Sequence, residues 1–280
     1  MKVYRSVQKP KNRHALRLAL GRRYFIAKRH VIWMFGGTRF AKVRQDVGLA
    51  HEHFSHQTPL LRKLKDVDMQ LQHNKVVNLR IALEKVNGVV VRPGETFSYW
   101  RLIGRPSRRK GYVDGMILDK GTFRAGVGGG LCQLSNLIYW MTLHTPLTVV
   151  ERHRHSYDVF PDAGRTQPFG SGATCFYNYG DLMIKNDTGQ DFQLVLGLTD
   201  SYLIGAWKSD MPIDYRYEVY EKAHIIQSEP WGGYTRHNLI FRKRFGLDGG
   251  LIDDEPVTEN HAIMMYSPLL SGGGDRQSDG

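Results

Sequence analysis

The spacing of apolar residues changes from helical to extended as the chain proceeds. Between 10 and 45, Leu16, Leu18, Leu20, Phe25 and Ile26 are interleaved with Arg and Lys too densely for a clean stripe. That pattern predicts helical pieces lying on a surface, either a membrane or the main body. From 64 to 88, Val67, Leu71, Val76, Val77, Leu79, Ile81 and Leu83 recur at mixed three- and four-residue spacing, and Asn87-Gly88 supplies a stop, so a long helix is expected. Val89–Val91 reads as a short strand closed by a turn at Pro93-Gly94, and residues 97–103 read as another extended piece. Leu131, Leu134, Leu137, Ile138 and Met141 draw the apolar stripe of a helix at about 131–144, which Pro146 bars from continuing. Residues 147–160 alternate, predicting a strand with His153, His155 and Tyr157 on one face. Ala173–Tyr179, Leu182–Lys185, Phe192–Leu198 and Tyr202–Trp207 predict further strands, with a turn at Asn186–Gly189. Residues 213–245 read as a hairpin turning at Pro230–Gly233. The class is therefore α+β, with early helices and a Cys-bearing helix packed on a mostly antiparallel sheet of later strands. Three regions are expected: a basic N-terminal arm (1–50), a main domain (51–268) and a disordered tail (269–280).

Charge sharpens the division. The chain has 280 residues and a net charge of +12. Its first 50 residues hold 13 Lys/Arg against the single acid Asp46, so the rest is neutral overall. A basic arm of this kind suggests contact with anionic lipid at the inner membrane face through residues 1–45. Nucleic acid is not expected, because no RNA-binding aromatic signature accompanies the charge. The run Val31–Phe35 falls far short of the roughly 20 residues of a membrane span. Ala15–Leu20 is broken by Arg17 and followed by Arg22 and Arg23, not by a cleavage site. The expected location is cytoplasmic, peripheral at the inner membrane face. His51, His53 and His56 lack the His-Glu-x-x-His spacing and read as exposed loop histidines.

The chemistry concentrates in Gly128-Gly129-Gly130-Leu131-Cys132-Gln133-Leu134-Ser135. Three glycines allow close backbone approach, and Cys132 falls in the first turn of the predicted helix, where unpaired amides favour a thiolate. Ser135, Asn136 and Tyr139 would form a polar face opposite the leucines. His155 or His153 is the candidate base, oriented by Asp158, Asp162, Asp181 or Asn178. The amides of the Gly128–Cys132 loop would hold an oxyanion, and Gly128, Gly129, Gly130, Gln133, Ser135 and Glu95 are the candidates for contacting substrate. Glu95 has an alternative role in capping its own turn. A competing reading makes Cys132, His153, His155 and Cys175 a zinc site, although no Cys-x-x-Cys knuckle is present. The simplest reading leaves Cys132 as a packed core residue. No cofactor is expected.

Pro93–Ser98, Gly128–Ser135, Glu151–Ser156 and Tyr179–Leu182 with Asn186 resemble motifs of the VanW family. Gly233–Asn238 and Glu259–Tyr266 extend the likeness, which spans roughly residues 50–268. The resemblance implies an accessory role in glycopeptide (vancomycin) resistance and cell-wall metabolism, with a peptidoglycan-related substrate. Many members carry an acid in a Gly-x-Asp-Ala-Thr stretch; here Gly172 stands in its place, so the orienting acid is expected elsewhere, at Asp181. Two activities fit these residues: a cysteine-dependent acyl hydrolase or transferase, and a non-catalytic module that binds a wall precursor or a partner protein.

Overall fold

The structure, a computed structural model, describes residues 7, 14–62, 68–119, 121–159 and 167–268. The expected tail at 269–280, the start of the expected helix at 64–67 and the candidate Asp162 lie outside the described residues.

The chain opens with α1 (Ala15–Phe35), which buries no residue, and then β1 (His51–Pro59). α2 (Met69–Val86) follows, its first turn capped by the Asp68 carboxylate, which accepts from the Gln70 amide. Leu79, Ala82, Leu83 and Val86 form its buried stripe. Gly88 then turns the chain at a positive φ of 77°, where a side chain would strike the Gln45 carbonyl. Next come β2 (Val89–Val91), β3 (Thr96–Ser98) and the short α3 (Tyr99–Ile103). A hairpin of β4 (Asp114–Asp119) and β5 (Thr122–Val127) leads through the glycine loop into α4 (Cys132–Thr142). β6 (Thr148–Glu151), β7 (Tyr157–Asp158) and β8 (Met183–Lys185) are short. β9 (Phe192–Leu198) and β10 (Tyr202–Ser209) pair antiparallel. Three long strands finish the fold: β11 (Tyr215–Ser228), β12 (Tyr234–Gly246) and β13 (Leu251–Met264).

Two four-stranded sheets dominate, in the orders β1-β10-β9-β2 and β11-β12-β13-β7, and the β13–β7 pairing is parallel. A third sheet, β3-β8-β6, carries the loops of the candidate site. The core joins Leu79, Val89, Phe97, Leu134, Ile138 and Trp207, all essentially inaccessible. The class is mixed α+β with mostly antiparallel sheets, as expected, but it is strand-rich: among the described residues 40% is strand against 24% helix. Among the described residues no helix is long and apolar enough to cross a membrane.

Several local expectations give way. His51–His56 lies in β1, paired with β10, not in a loop. The strand expected over 147–160 stops at Glu151 and resumes only at Tyr157. Between them the Arg152 guanidinium turns inward to the carbonyls of Gly170 and Gly172 and lies over the Tyr139 ring. This side-chain network replaces the strand ladder, so His153 and His155 do not share a strand face. Ala173–Tyr179 is likewise a compact loop, closed by a bridge between Phe176 and Gly180. Residues 97–103 are extended only as far as Ser98, whose side chain then caps α3. The turn at Asn186 is as expected: its Oδ1 accepts from the Thr188 amide, while its Nδ2 ties Val91 to Gln190.

Candidate functional site

The glycine loop is held rigidly at the mouth of α4. Gly128 and Gly130 adopt positive φ values of 76° and 89°. Gly129 lies so close to Gly115 that a Cβ there would fall 2.1 Å from the Gly115 carbonyl carbon. Only glycine satisfies these demands. The wholly buried Asn78 of α2 clamps the loop: its Nδ2 donates to Gly129 O (2.9 Å) and Val113 O (3.1 Å), and its Oδ1 accepts from Val113 N (2.9 Å). The Tyr99 hydroxyl donates to Leu131 O at 2.8 Å. The amides of Gly128 and Gly129 are used within the loop, donating to Val113 O and Gly126 O. Among the described residues the amides of Gly130, Leu131 and Cys132 donate to no backbone carbonyl, so the expected oxyanion cradle narrows to these three.

Cys132 begins α4 and Leu131 is its N-cap. The sulfur points toward the Cys175 carbonyl, 3.8 Å away. Burial pushes the thiol up, against the thiolate expected at a helix start: loss of water outweighs the backbone hydrogen bonds at Cys175 and Cys132. Cys175 is raised further, first by burial and then by Cys132 beside it; both cysteines are free thiols. Of the polar face expected opposite the leucines, Asn136 stays exposed, its Oδ1 accepting from the Ala173 amide at 2.8 Å, while the other two residues are buried. Ser135 and Tyr139 are almost inaccessible, and Ser135 Oγ donates to Ala173 O at 2.6 Å, which commits it to the loop. Gln133 is half-buried and donates to Thr58 Oγ1 and Pro59 O, both at 2.9 Å. Glu95 accepts from the Arg92 amide at 3.1 Å, so it closes its own turn and does not join this group.

The imidazole of His153 engages a carboxylate, not the sulfur. Its Nε2 lies 3.0 Å from Glu151 Oε1. Glu151 also receives both arms of Arg29 from α1, at 2.6 and 2.7 Å, and the Asp181 amide at 3.0 Å. Burial pushes the Glu151 carboxyl up, but the hydrogen bonds from His153, Arg29 and Asp181 outweigh it and leave the group below its usual range. Asp181 is fully buried; burial raises its carboxyl to about 7 despite hydrogen bonds from Ser98 and Trp100, and the Glu151 charge adds to the rise. The carboxylate that orients His153 is therefore Glu151, with Asp181 supporting it through a backbone N–H. The segment 174–176 links the two halves. The Thr174 amide donates to His153 O (2.9 Å), the Cys175 carbonyl faces the Cys132 sulfur, and the Phe176 ring packs against the His153 imidazole. His155 is half-buried and shifted down by burial, and it enters none of these contacts. The candidate orienting groups Asp158 and Asn178 are engaged elsewhere: Asp158 with Arg236 and Tyr266, and Asn178 with the Ile26 carbonyl of α1. The zinc alternative fails on geometry. Among the described residues no three His, Cys, Asp or Glu side chains are placed to hold a metal ion, because His153 turns to Glu151 and Cys132 to a backbone oxygen.

A model of the VanW-like protein family matches residues 74–207. The chain is 33% identical over 235 residues to the vancomycin B-type resistance protein VanW of Enterococcus faecalis (strain ATCC 700802 / V583), across 84% of this chain and 85% of that protein. The chain belongs to the VanW family. It is also 32% identical over 113 residues to the uncharacterized protein YoaR of Bacillus subtilis (strain 168), across 40% of this chain and 36% of that one. No solved structure matches it.

The VanW-like motifs meet in one polar network. Ser98, at the end of the Pro-Gly-Glu-Thr-Phe-Ser stretch, donates to Asp181 Oδ2 at 2.5 Å. Asp181 reaches Glu151, which opens the Glu-Arg-His-Arg-His-Ser stretch, and His153 follows two residues later. Tyr99 holds the loop that delivers Cys132. Sequence reasoning passed over Glu151, although it stands in that motif beside the histidines. It also missed Arg29, which carries no signal of its own among the arginines of the arm.

Proposed function

We propose that this VanW-family chain serves glycopeptide (vancomycin) resistance and cell-wall metabolism as a cysteine-dependent acyl hydrolase or acyltransferase acting on a peptidoglycan-related substrate. The observation that carries the biological setting is the identity with the resistance protein across 84% of the chain. The chemistry is supported by the pairing of His153 with Glu151 across segment 174–176 from Cys132. The Cys132 sulfur bonds to the acyl carbon of the substrate while its proton passes to His153. Glu151 stabilises the imidazolium and fixes the ring. The amides of Gly130–Cys132 receive the oxyanion. The bond to the leaving group then breaks, and His153 returns the proton to it. Water or an acceptor amine releases the acyl group. The raised thiol means that Cys132 rests protonated, so transfer to His153 accompanies the attack.

The test is mass spectrometry of the purified chain after exposure to muropeptides. An acyl adduct on the Cys132 peptide is expected, absent in Cys132→Ala and reduced about 10²-fold or more in its rate of formation in His153→Ala. No adduct on the native chain, or an equal one on Cys132→Ala, overturns the mechanism. A second reading, a non-catalytic module for a wall precursor or partner protein, is favoured by the sulfur's contact with a backbone carbonyl in place of an imidazole. It predicts muropeptide binding that Cys132→Ala leaves intact and slow alkylation of the native thiol.

The proposed place of action is the cytoplasmic side of the membrane, with α1 against anionic lipid. α1 has no acid, and Leu16, Leu18, Leu20, Met34 and Phe35 are exposed on it beside Arg17, Arg22 and Arg23. Apolar and cationic groups on one exposed helix complement an anionic bilayer surface. Sedimentation with phosphatidylglycerol vesicles should fall with added salt and with removal of residues 1–45; binding indifferent to both rejects this contact.

A further inference from the structure

The buried face of α2 holds a cation that the site described above leaves unused. Lys75 is 8% exposed and lies directly under the glycine loop: a Cβ at Gly130 would fall 2.2 Å from Lys75 Cγ, so the loop backbone rests on the lysine stem. The ammonium donates to a neutral oxygen, Gln72 Oε1, at 2.8 Å, and Gln72 is itself 2% exposed. Among the described residues no carboxylate pairs with Lys75; the charged neighbour that acts on it is Arg62, which is exposed. Burial first, and the Arg62 charge second, push Lys75 down to about 8. A buried ammonium without an opposite charge is costly, and a second cation beside it adds to the cost. An apolar side chain would fill the same space under Gly130 without that cost.

We propose that Lys75, held by Gln72, forms a binding site for an oxyanion, the phosphate or carboxylate of a ligand, beside the loop that leads to Cys132. The ammonium donates to the anion while Gln72 Oε1 holds the ammonium in place. The anion supplies the opposite charge that Lys75 lacks among the described residues and restores it to its fully protonated form. Three residues along the same helix face, Asn78 clamps Gly129, so a ligand seated at Lys75 lies next to the loop that delivers the thiol. The site deepens the proposed function by giving its substrate an anionic group. Binding of the anion is independent of turnover.

Calorimetric titrations with pyrophosphate and, separately, with acetylated dialanine test the site in the full chain. They are run at pH 8 in two buffers of different ionisation heat. Saturable binding of at least one anion with proton uptake is expected, because binding protonates the neutral fraction of Lys75. Lys75→Met should weaken it roughly tenfold or more, and Cys132→Ala should leave it unchanged. Binding of pyrophosphate alone assigns the site to phosphate, and binding of the dipeptide alone assigns it to carboxylate. Should Lys75→Met fail to fold, acetylation of Lys75 by acetic anhydride in the native chain, read by mass spectrometry, gives a second measurement: a saturating anion should slow it. Absence of binding by both anions, or native affinity in folded Lys75→Met, overturns the proposal. Anion binding without a Cys132 adduct would reject the acyl-transfer mechanism and leave this site standing; an adduct without anion binding would do the reverse.

Discussion

α1 and α4 both lead into the candidate site, and they hold their places in opposite ways. α4 has eleven residues, and eight of them, from Leu134 to Thr142, are buried. α1 is nearly twice as long and buries none. The hydrophobic effect therefore fixes α4, whereas α1 is held mainly by polar contacts, namely Arg29 on Glu151, the Arg29 contact with Tyr179 O, the Asn178 amide on Ile26 O, and Arg101 on Trp33 O, with Trp33 against the core and Phe25 against Tyr179 as apolar anchors. One helix is scaffold. The other is a charged strap over the carboxylate that orients His153, and its free face remains available to another surface.

The largest effect should come from breaking the scaffold. Leu137→Ala, at a position 1% exposed, should cost about 2–5 kcal/mol in urea denaturation. Gly130→Ala should cost roughly 1–3 kcal/mol, because φ is positive and the new methyl overlaps Lys75. Arg29→Ala leaves Glu151 with His153 and the Asp181 amide but no guanidinium; a loss of about 1–2 kcal/mol and faster proteolytic cutting of α1 are expected. Leu16→Ser, on the exposed face of the strap, should change stability by less than about 0.5 kcal/mol. If Leu16→Ser and Leu137→Ala cost the same, the contrast between the helices is wrong.

The network under the strap should show in the pH dependence of stability. Asp181 titrates near 7 in the folded chain, against 3.8 for an ordinary aspartate. Between those values the folded state binds more protons than the unfolded state. This contribution to stability is therefore present at low pH and is lost as pH rises from about 4 to about 7. Asp181→Asn should flatten that part of the profile; an unchanged slope would mean that the carboxyl is not strained by burial. Glu151 acts in the opposite sense: held below its usual range, it stabilises above that range and loses the contribution as pH falls.

The sequence by itself determined the elements with a local signal. The leucine stripe placed α4 within two residues of its observed ends, and Asn87-Gly88, Asn186–Gly189 and Pro230–Gly233 marked turns because their side chains and φ values act within a few residues. It also drew attention to the glycine loop and Cys132, while leaving the choice between His155 and His153 open. What it missed is decided at long range. β13, written as Leu251-Ile252-Asp253-Asp254-Glu255, has a weak apolar pattern because its first half is largely exposed, and only pairing with β12 makes it a strand. Arg152 broke the expected His strand because its partners, Gly170, Gly172 and Asn260, arrive from later in the chain. The choice of Glu151 over Asp181 as the partner of His153, the raised thiol of Cys132 and the buried charge of Lys75 have the same origin. Desolvation and ion pairing depend on which segments the folded chain brings together, and no spacing along the sequence carries that information.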